Sequence, residues 1–213
     1  MSVVETVETV ETVETVETVE TDYIFSVDWF SIHIELWTIY LDEFKGKANL
    51  RFLEIGSYQG RSTVWLLENI LTDDTSSITC IDTFEGSVEH HENERYHKDI
   101  TNLYEVFSHN ISKFKNKVRI IQGMSQVALK QIAGDYDFVY VDGDHRASSV
   151  MEDAILSFAL LKRGGLMIFD DYEWTCSKAY IDDPKPAIDA FMILYADKIK
   201  VLFINQQVII RKL

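Results

Sequence analysis

The sequence predicts one α/β domain built on a Rossmann-like, doubly wound sheet of seven mostly parallel strands. Short apolar runs that end at turn residues alternate along the chain with stretches of helical length, which is the pattern of parallel strands joined by helices. The last two apolar runs flank Asn205-Gln206, so they predict a hairpin that adds an antiparallel strand to the sheet. A chain of 213 residues is long enough for one such domain and its core.

The N-terminal segment has a different composition. Residues 4–21 are six tandem Val-Glu-Thr triplets. A period of three matches neither a helix nor a strand, so the valines form no single apolar face. We therefore expect residues 1–21 to be a disordered acidic tail and residues 22–213 to form the domain. Docking of the tail on a partner is the alternative.

Each element of the domain follows from a local pattern. The apolar stretch from Tyr23 to Phe44 predicts a helix or helix pair, with His33 as a packed core histidine. This stretch packs either on its own domain or on a second copy, which leaves a homo-oligomer open. Strands are predicted over residues 51–55, 77–81, 118–121, 138–141, 166–169, 199–204 and 207–210. Helices are predicted over residues 60–71, 100–114, 125–132, 147–161 and 184–195.

Charge and composition exclude several classes of partner. Asp and Glu number 35 against 20 Lys and Arg, a net charge of −15, and such a surface repels nucleic acid and anionic membranes. Cys80 and Cys176 form no disulfide framework and no zinc motif. No apolar run is long enough to cross a bilayer, and the first residues lack the pattern of a signal peptide. We expect a cytoplasmic protein.

The first two strands end in residues suited to bind a nucleoside. Gly56 and Gly60 bracket the turn between the first strand and its helix, where glycine allows close approach of a ligand. The spacing is Gly-x-x-x-Gly and not the Gly-x-Gly-x-x-Gly of dinucleotide folds. Asp82 ends the second strand, where an acid can accept hydrogen bonds from ribose hydroxyls. The sequence thus predicts a ligand at this edge of the sheet.

Acidic residues also follow two later strands. Asp142, Asp144 and His145 come directly after the strand 138–141, and Asp170 and Asp171 follow the strand 166–169. If these strands are neighbours, three carboxylates (Asp142, Asp170 and Asp171) converge and repel each other unless a cation neutralises them. Hard oxygen ligands suit Mg²⁺, Mn²⁺ or Ca²⁺ better than zinc. The alternative is three separate surface acids.

Together these motifs resemble a known family. Glu54-x-Gly56-x-x-x-Gly60, Asp82, Asp142-Gly143-Asp144-His145, Gly164-Gly165 and Asp170-Asp171 are similar to the class I S-adenosylmethionine-dependent methyltransferases. The nearest resemblance is to the metal-dependent small-molecule O-methyltransferases of the macrocin type, over about residues 50–172. The resemblance implies these roles: Glu54, Gly56, Gly60 and Ser62 at the methionine part of the cofactor, Asp82 at the ribose, Ser125 near the adenine, Asp142, Asp170 and Asp171 on Mg²⁺, and Asp144 as base.

The chemistry of methyl transfer is compatible with these residues. The acceptor would be a hydroxyl of a small molecule, a sugar among the candidates, and a divalent ion lowers the pKa of such a hydroxyl. Asp144 or His145 would then take the proton. The chain departs from the catechol type, because no lysine stands in the four positions after Asp142.

Further segments and three alternative functions remain open. Residues 89–97 are predicted to form a mobile lid, Tyr172 and Trp174 either wall the acceptor pocket or pack in the core, and Cys176 is expected to be inert. The alternatives are a silent cofactor-binding module, a nicotinamide-dependent oxidoreductase and a metal-dependent hydroxylase or hydrolase on the same scaffold.

Overall fold

A computed structural model describes residues 23–86, 100–175 and 179–213. The Val-Glu-Thr tail, the segment 89–97 and Cys176 lie outside the described residues, so the predictions made for them stay predictions. Among the described residues, no helix combines the length and the apolar character needed to cross a membrane.

The centre of the domain is one seven-stranded sheet with the order β3-β2-β1-β4-β5-β7-β6. The strands are β1 (Arg51–Ile55), β2 (Ser77–Asp82), β3 (Val118–Gln122), β4 (Tyr136–Val141), β5 (Leu161–Phe169), β6 (Ile199–Ile204) and β7 (Val208–Lys212). β1 to β5 pair in parallel, and β7 runs antiparallel to both β5 and β6. The predicted fold class is thereby confirmed.

Helices cover both faces of this sheet. They are α1 (Ile34–Leu41), α2 (Arg61–Asn69), α3 (Leu103–Asn110), α4 (Ser125–Ala128), α5 (Ala147–Leu160) and α6 (Pro184–Leu194). Side chains of the central strand β4 alternate between two cores, so Phe138 and Tyr140 pack with Trp37 on one face while Val139 packs with Phe158 on the other. A parallel strand that is covered on both faces has to be apolar throughout.

Two helices end four residues earlier than predicted. α3 ends at Asn110 instead of residue 114, and the side-chain amide of Asn110 donates to the carbonyls of Ile24 and Gln59. α4 ends at Ala128 instead of residue 132, although Leu129 and Ile132 are still buried. The apolar spacing there reflects burial in the core and not a continuing helix.

β5 begins earlier than predicted, at Leu161 instead of Leu166. Leu161 pairs with Tyr136, and the register of β4 and β5 shifts between Tyr136 and Phe138. Gly164 lies within this part of the strand with a positive φ of 81°. Such an irregularity lets a strand continue through residues that a sequence pattern marks as a turn.

Residues 23–33 form an N-terminal strap and not the helix predicted to begin near Tyr23. The strap is extended before a short 3₁₀ turn at Ser31–His33, and helix α1 follows. Hydrogen bonds join Ser26 to the side chain of Gln59 at 2.8 and 2.9 Å. The guanidinium of Arg61 lies 4.2 Å from the centre of the Phe25 ring. The strap is therefore held against the loop between β1 and α2.

Candidate active site

A cleft of about 1110 Å³ opens over the carboxyl ends of β1 to β5. The sheet order places β2 and β3 on one side of β1 and β4 and β5 on the other. The point where the order reverses is the usual ligand site of such sheets. The N-terminal strap forms one wall of the cleft with Phe25, Val27, Trp29 and His33.

Gly56 stands at the centre of this edge. Ile55 pairs with Ile81 of β2 and with Val141 of β4, so the residue after Ile55 lies between the acids that end those two strands. Gly56 has a φ of 80°, and a Cβ atom there would lie 1.8 Å from the carbonyl oxygen of Asp142. Only glycine lets β1 and β4 end this close together.

Glu54 lies beneath the loop and does not line the cleft. Its side chain is fully buried, and its carboxylate accepts hydrogen bonds from the hydroxyls of Ser57 at 2.8 Å, Ser62 at 2.6 Å and Thr63. Burial raises the pKa of Glu54, and the three hydroxyls act in the opposite direction. The geometry therefore gives Glu54 a role in holding the loop against α2.

Asp82 supports the same loop from β2. Its Oδ2 accepts the backbone N–H groups of Ser57 at 2.6 Å and Tyr58 at 2.8 Å, and its Oδ1 accepts that of Phe84 at 2.7 Å. Tyr58 and Phe84 adopt left-handed φ values of 49° and 57°, a conformation that is costly for bulky residues. Asp82 still borders the cleft, and its Oδ1, which accepts one N–H group, has a lone pair for a further donor.

Of the four other residues predicted to contact the cofactor, three line the cleft and one does not. Ser62 and Ser125 line the cleft together with Gly56, whereas Gly60 does not. A Cβ atom at Gly60 would lie 2.9 Å from the ring of Phe107. Gly60 is thus needed for the approach of α3 to the loop, and its backbone begins helix α2.

Asp153 lies behind the wall near Ser125, and sequence reasoning missed it. It sits on α5, and its side chain is buried with a residue exposure of 1%. Burial raises the pKa of Asp153 to about 7, and the negative charges of Asp144 and Glu152 act in the same direction. One polar position in an amphipathic helix resembles a surface residue, so the sequence offered no signal.

The ends of β4 and β5 bring the predicted acids together. Val141 pairs with Phe169, so Asp142 and Asp170 follow side by side. Among the described residues, ligand atoms of Asp142, His145 and Asp171 lie within 4.8 Å of one another. The His145 Nε2 atom is 3.0 Å from Asp171 Oδ2 and 4.0 Å from Asp142 Oδ1. We call Asp142, Asp170 and Asp171 the acid cluster, which His145 borders.

Tyr140 reaches the acid cluster from within β4. Its hydroxyl lies 3.0 Å from Asp142 Oδ2 and also hydrogen-bonds Asp170 Oδ2. Burial raises the pKa of Asp142 well above its usual range, and the charges of Asp170 and Asp171 raise it further. Burial and the same acids likewise raise the pKa of the Tyr140 phenol. The cluster is therefore a concentration of negative charge in a region of low polarity.

Asp144 is directed to a different partner. Its carboxylate accepts hydrogen bonds from the guanidinium of Arg146, at 2.8 Å from Nε to Oδ2, and from the hydroxyl of Ser149 at 2.9 Å. Partial burial acts to raise the pKa of Asp144, but these hydrogen bonds outweigh it and the pKa is lowered. A carboxylate held in this way is a weak base.

The structure places His33 and Trp174 at the cleft and Tyr172 in the core. His33 is buried, as predicted, but it also lines the cleft, with Nε2 3.8 Å from Asp170 Oδ1. Trp174 lines the cleft too, and its ring centre is 4.5 Å from that of His145. Tyr172 instead donates its hydroxyl to Asp189 at 2.6 Å and belongs to the core.

The sheet with its antiparallel last strand and the cleft at the switch point define a Rossmann-like methyltransferase fold. A family model described as a methyltransferase domain, that of the methyltransferase-24 family, matches residues 53–172, more than half of the chain. The chain therefore belongs to this methyltransferase family. The resemblance stated from the sequence motifs is thereby confirmed.

A curated relative adds little about function. An uncharacterised protein of Acanthamoeba polyphaga mimivirus, R132, is 24% identical over 129 residues, which cover 60% of this chain. The chain spans about half the length of that relative, with 53% covered.

Solved methyltransferase structures share the fold. The O-methyltransferase NovP is similar with a TM-score of 0.64 and 15% identity over 84% of this chain and 79% of its own. An O-methyltransferase from Bacillus cereus, in complex with S-adenosylhomocysteine, is similar with a TM-score of 0.62 and 15% identity over 88% of this chain and 84% of its own. MycE of the mycinamycin biosynthetic pathway was solved in complex with Mg, S-adenosylhomocysteine and mycinamycin VI. It is similar with a TM-score of 0.59 and 17% identity over 87% of this chain and 50% of its own. At these identities the likeness shows the fold.

Proposed function

We propose that the protein transfers a methyl group from S-adenosylmethionine to a hydroxyl oxygen of a small molecule, with the acid cluster holding a divalent cation. The observation that carries this proposal is the contact between the two halves of the site. Residues 56–60, between β1 and α2, form what we call the cofactor loop. Its Gly56 packs against the backbone of Asp142. A methyl donor over the loop and an acceptor over the acid cluster would thus meet at one point of the cleft, as an in-line displacement requires.

The residues of the acid cluster fit a divalent cation. Asp142, Asp170 and Asp171 offer hard oxygen ligands, and the raised pKa of Asp142, caused by burial and by the other two acids, marks a site that lacks positive charge. Mg²⁺ or Mn²⁺ suits this donor set. When bound, such an ion neutralises the carboxylates and lowers the pKa of an acceptor hydroxyl. The complex of MycE with Mg is a parallel from a similar fold.

His145 is the better candidate for the base. As the oxygen–carbon bond forms and the carbon–sulfur bond breaks, the acceptor hydroxyl loses its proton and neutral S-adenosylhomocysteine leaves. The imidazole of His145 lines the cleft beside Asp142 and Asp171, so it would take the proton of a hydroxyl bound over these acids. Asp144, the base that the family resemblance implies, is engaged by Arg146.

The walls of the cleft support a small and uncharged or cationic acceptor. Phe25, Trp29 and Trp174 supply apolar surface next to the acid cluster. The net charge of −15 disfavours nucleic acid and anionic membranes as partners. A cytoplasmic location and a homo-oligomer remain predictions from the sequence.

Calorimetric titration tests the proposal directly. We expect S-adenosylmethionine and S-adenosylhomocysteine to bind with micromolar affinity, with Mg²⁺ or with EDTA present. In an assay of methyl transfer to hydroxyl acceptors, Asp142→Ala and Asp170→Ala are expected to lower turnover about 1,000-fold or more while cofactor affinity is retained. Glu35→Ala, at an exposed position on α1, serves as the control.

Two results would count against the proposal in different ways. Absence of cofactor binding by the wild type would remove the methyl donor from the cleft. Loss of cofactor affinity in the Asp142→Ala and Asp170→Ala variants would instead mean that these acids support the cofactor and not a cation.

A further inference from the structure

A buried chain of hydrogen bonds reaches the acid cluster from below. The Trp37 indole Nε1 donates to Gln207 Oε1 at 2.8 Å, and Gln207 Nε2 donates to Asp170 Oδ2 at 3.0 Å. The Tyr140 hydroxyl meets the same oxygen of Asp170 from β4. We call Trp37, Gln207 and Asp170 the indole–amide chain. It joins helix α1, the turn before β7 and the end of β5, which are far apart in the sequence.

The direction of this chain is fixed by the chemistry of its members. An indole N–H can only donate, so the Gln207 oxygen has to accept from it. The amide group of Gln207 is then oriented with its NH₂ toward Asp170, where it can only donate. The NH₂ group of Gln207 therefore donates to Asp170 Oδ2 and holds it in one orientation. A flip of the Gln207 amide would leave the buried indole N–H of Trp37 without an acceptor.

The packing around the chain leaves it little freedom. Trp37 and Gln207 both have 0% exposure. The Trp37 ring makes edge-to-face contacts with Phe30 and Tyr140 at centroid distances of 4.8 Å. Burying an amide costs free energy unless its hydrogen bonds are made, and Gln207 makes them to Trp37 and Asp170.

Asp170 is held at its other oxygen as well. The backbone N–H of Asp171 donates to Asp170 Oδ1 at 2.8 Å, and His33 Nε2 lies 3.8 Å from the same atom. A carboxylate fixed at both oxygens is pre-organised, so less entropy is lost when a ligand binds beside it. Groups that orient a metal ligand typically change metal affinity 10- to 100-fold when they are removed.

We propose that Gln207, oriented by Trp37, is a positioning residue that sets the affinity of the acid cluster for a divalent cation. This inference rests on the cation site of the proposed function. Neither Gln207 nor Trp37 borders the cleft, so neither touches the cofactor or the acceptor. Their hydrogen bonds reach the acid cluster through Asp170.

Titration of Mn²⁺ into the full chain tests the inference. Gln207→Met keeps the approximate size of the side chain and removes both hydrogen bonds, so we expect the affinity for Mn²⁺ to fall about 10-fold. Trp37→Phe keeps an aromatic ring and removes the N–H group, and we expect a fall of about 3-fold in the same direction. Gln131→Met, the same change at an exposed glutamine, is expected to leave the affinity unchanged.

A second titration separates positioning from a general loss of structure. Affinity for S-adenosylhomocysteine is expected to stay within about 2-fold of the wild type in all three variants, because the indole–amide chain does not contact the cofactor loop. A fall in both affinities would show a structural role and overturn the inference. Unchanged Mn²⁺ affinity in Gln207→Met and Trp37→Phe would overturn it too, with the cation site intact. Failure of the wild type itself to bind Mn²⁺ would overturn the cation site and this role with it.

Discussion

The acids at the ends of β1 and β2 and those at the ends of β4 and β5 share one edge of the sheet but differ in their surroundings. Glu54 and Asp82 each accept three or more hydrogen bonds from hydroxyl or backbone N–H groups. Asp142 instead shares the Tyr140 hydroxyl with Asp170, and it lies beside the charges of Asp170 and Asp171. An acid surrounded by donors holds neighbouring segments together, whereas acids that face each other repel unless their charge is neutralised.

Within one cleft, Glu54 and Asp82 therefore contribute to stability, whereas the acid cluster is suited to chemistry. The cofactor loop is pre-formed, because Glu54 and Asp82 hold its backbone and hydroxyl groups from two sides. The acid cluster is the opposite case, since bringing Asp142, Asp170 and Asp171 together costs free energy in the folded state. Residues at a functional site are expected to carry such costs. Three substitutions test the comparison.

The largest effect is expected for Glu54→Ala. The substitution leaves a cavity and removes the acceptor of the hydroxyls of Ser57, Ser62 and Thr63, so we expect the free energy of unfolding to fall by about 3 kcal/mol or more. Urea denaturation followed by circular dichroism measures this change. Glu35→Ala, at an exposed position on α1, should stay within about 0.5 kcal/mol of the wild type. A small loss in Glu54→Ala would mean that Glu54 is no anchor.

An intermediate effect that depends on pH is expected for Asp153→Asn. The pKa of Asp153 is raised to about 7, mainly by burial, so the folded state holds its proton more tightly than the unfolded chain does. This contribution to stability is fully present below about pH 4 and is lost as the pH rises toward 7. Asparagine does not titrate, so the stability of the variant relative to the wild type should rise by about 2 kcal/mol between pH 4 and pH 6.

Chemical denaturation of both proteins at a series of pH values checks this prediction. Taking the difference between the variant and the wild type at each pH cancels the titration of the other groups. A difference that is constant with pH would mean that the pKa of Asp153 is the same in the folded protein as in the unfolded chain.

The smallest effect, and one of opposite sign to that of Glu54→Ala, is expected for Asp142→Asn. Without a divalent cation, removal of one of three crowded charges should stabilise the fold by about 1 kcal/mol. Addition of Mg²⁺ should raise the melting temperature of the wild type more than that of the variant. Thermal unfolding with Mg²⁺ and with EDTA measures both. Destabilisation of the cation-free variant would remove the contrast between the two groups of acids.

Much of the fold could be predicted because the strands are short, apolar and bounded by turns. The strand over residues 199–204 appears with the predicted limits, and the hairpin places β7 beside β5 as an antiparallel strand. The helices were less well bounded, because apolar residues such as Leu129 and Ile132 pack in the core outside any helix. The strap was misread for a similar reason, since its apolar residues contact the cofactor loop and the cleft without helical spacing.

The site could be predicted only where it depends on strand order. The convergence of Asp142 and Asp170 follows from the pairing of β4 with β5, a neighbour relation that the alternating pattern implies. The partners of Glu54 could not be predicted, because the hydroxyls of Ser62 and Thr63 reach it from helix α2 by tertiary packing. Gln207 and His33 approach Asp170 from elements far along the chain, and no local pattern reports such a contact.

The two walls of the cleft also have different origins. One part of the cleft consists of strand ends that are fixed by the sheet register, while another part is formed by the N-terminal strap and by Trp174, which lie outside the sheet. Substitutions in the strap can therefore change the shape of the cleft without altering the sheet. Acceptor preference in this architecture is open to diversification by selection, and Phe25, Val27 and Trp29 are the positions for a mutagenesis library.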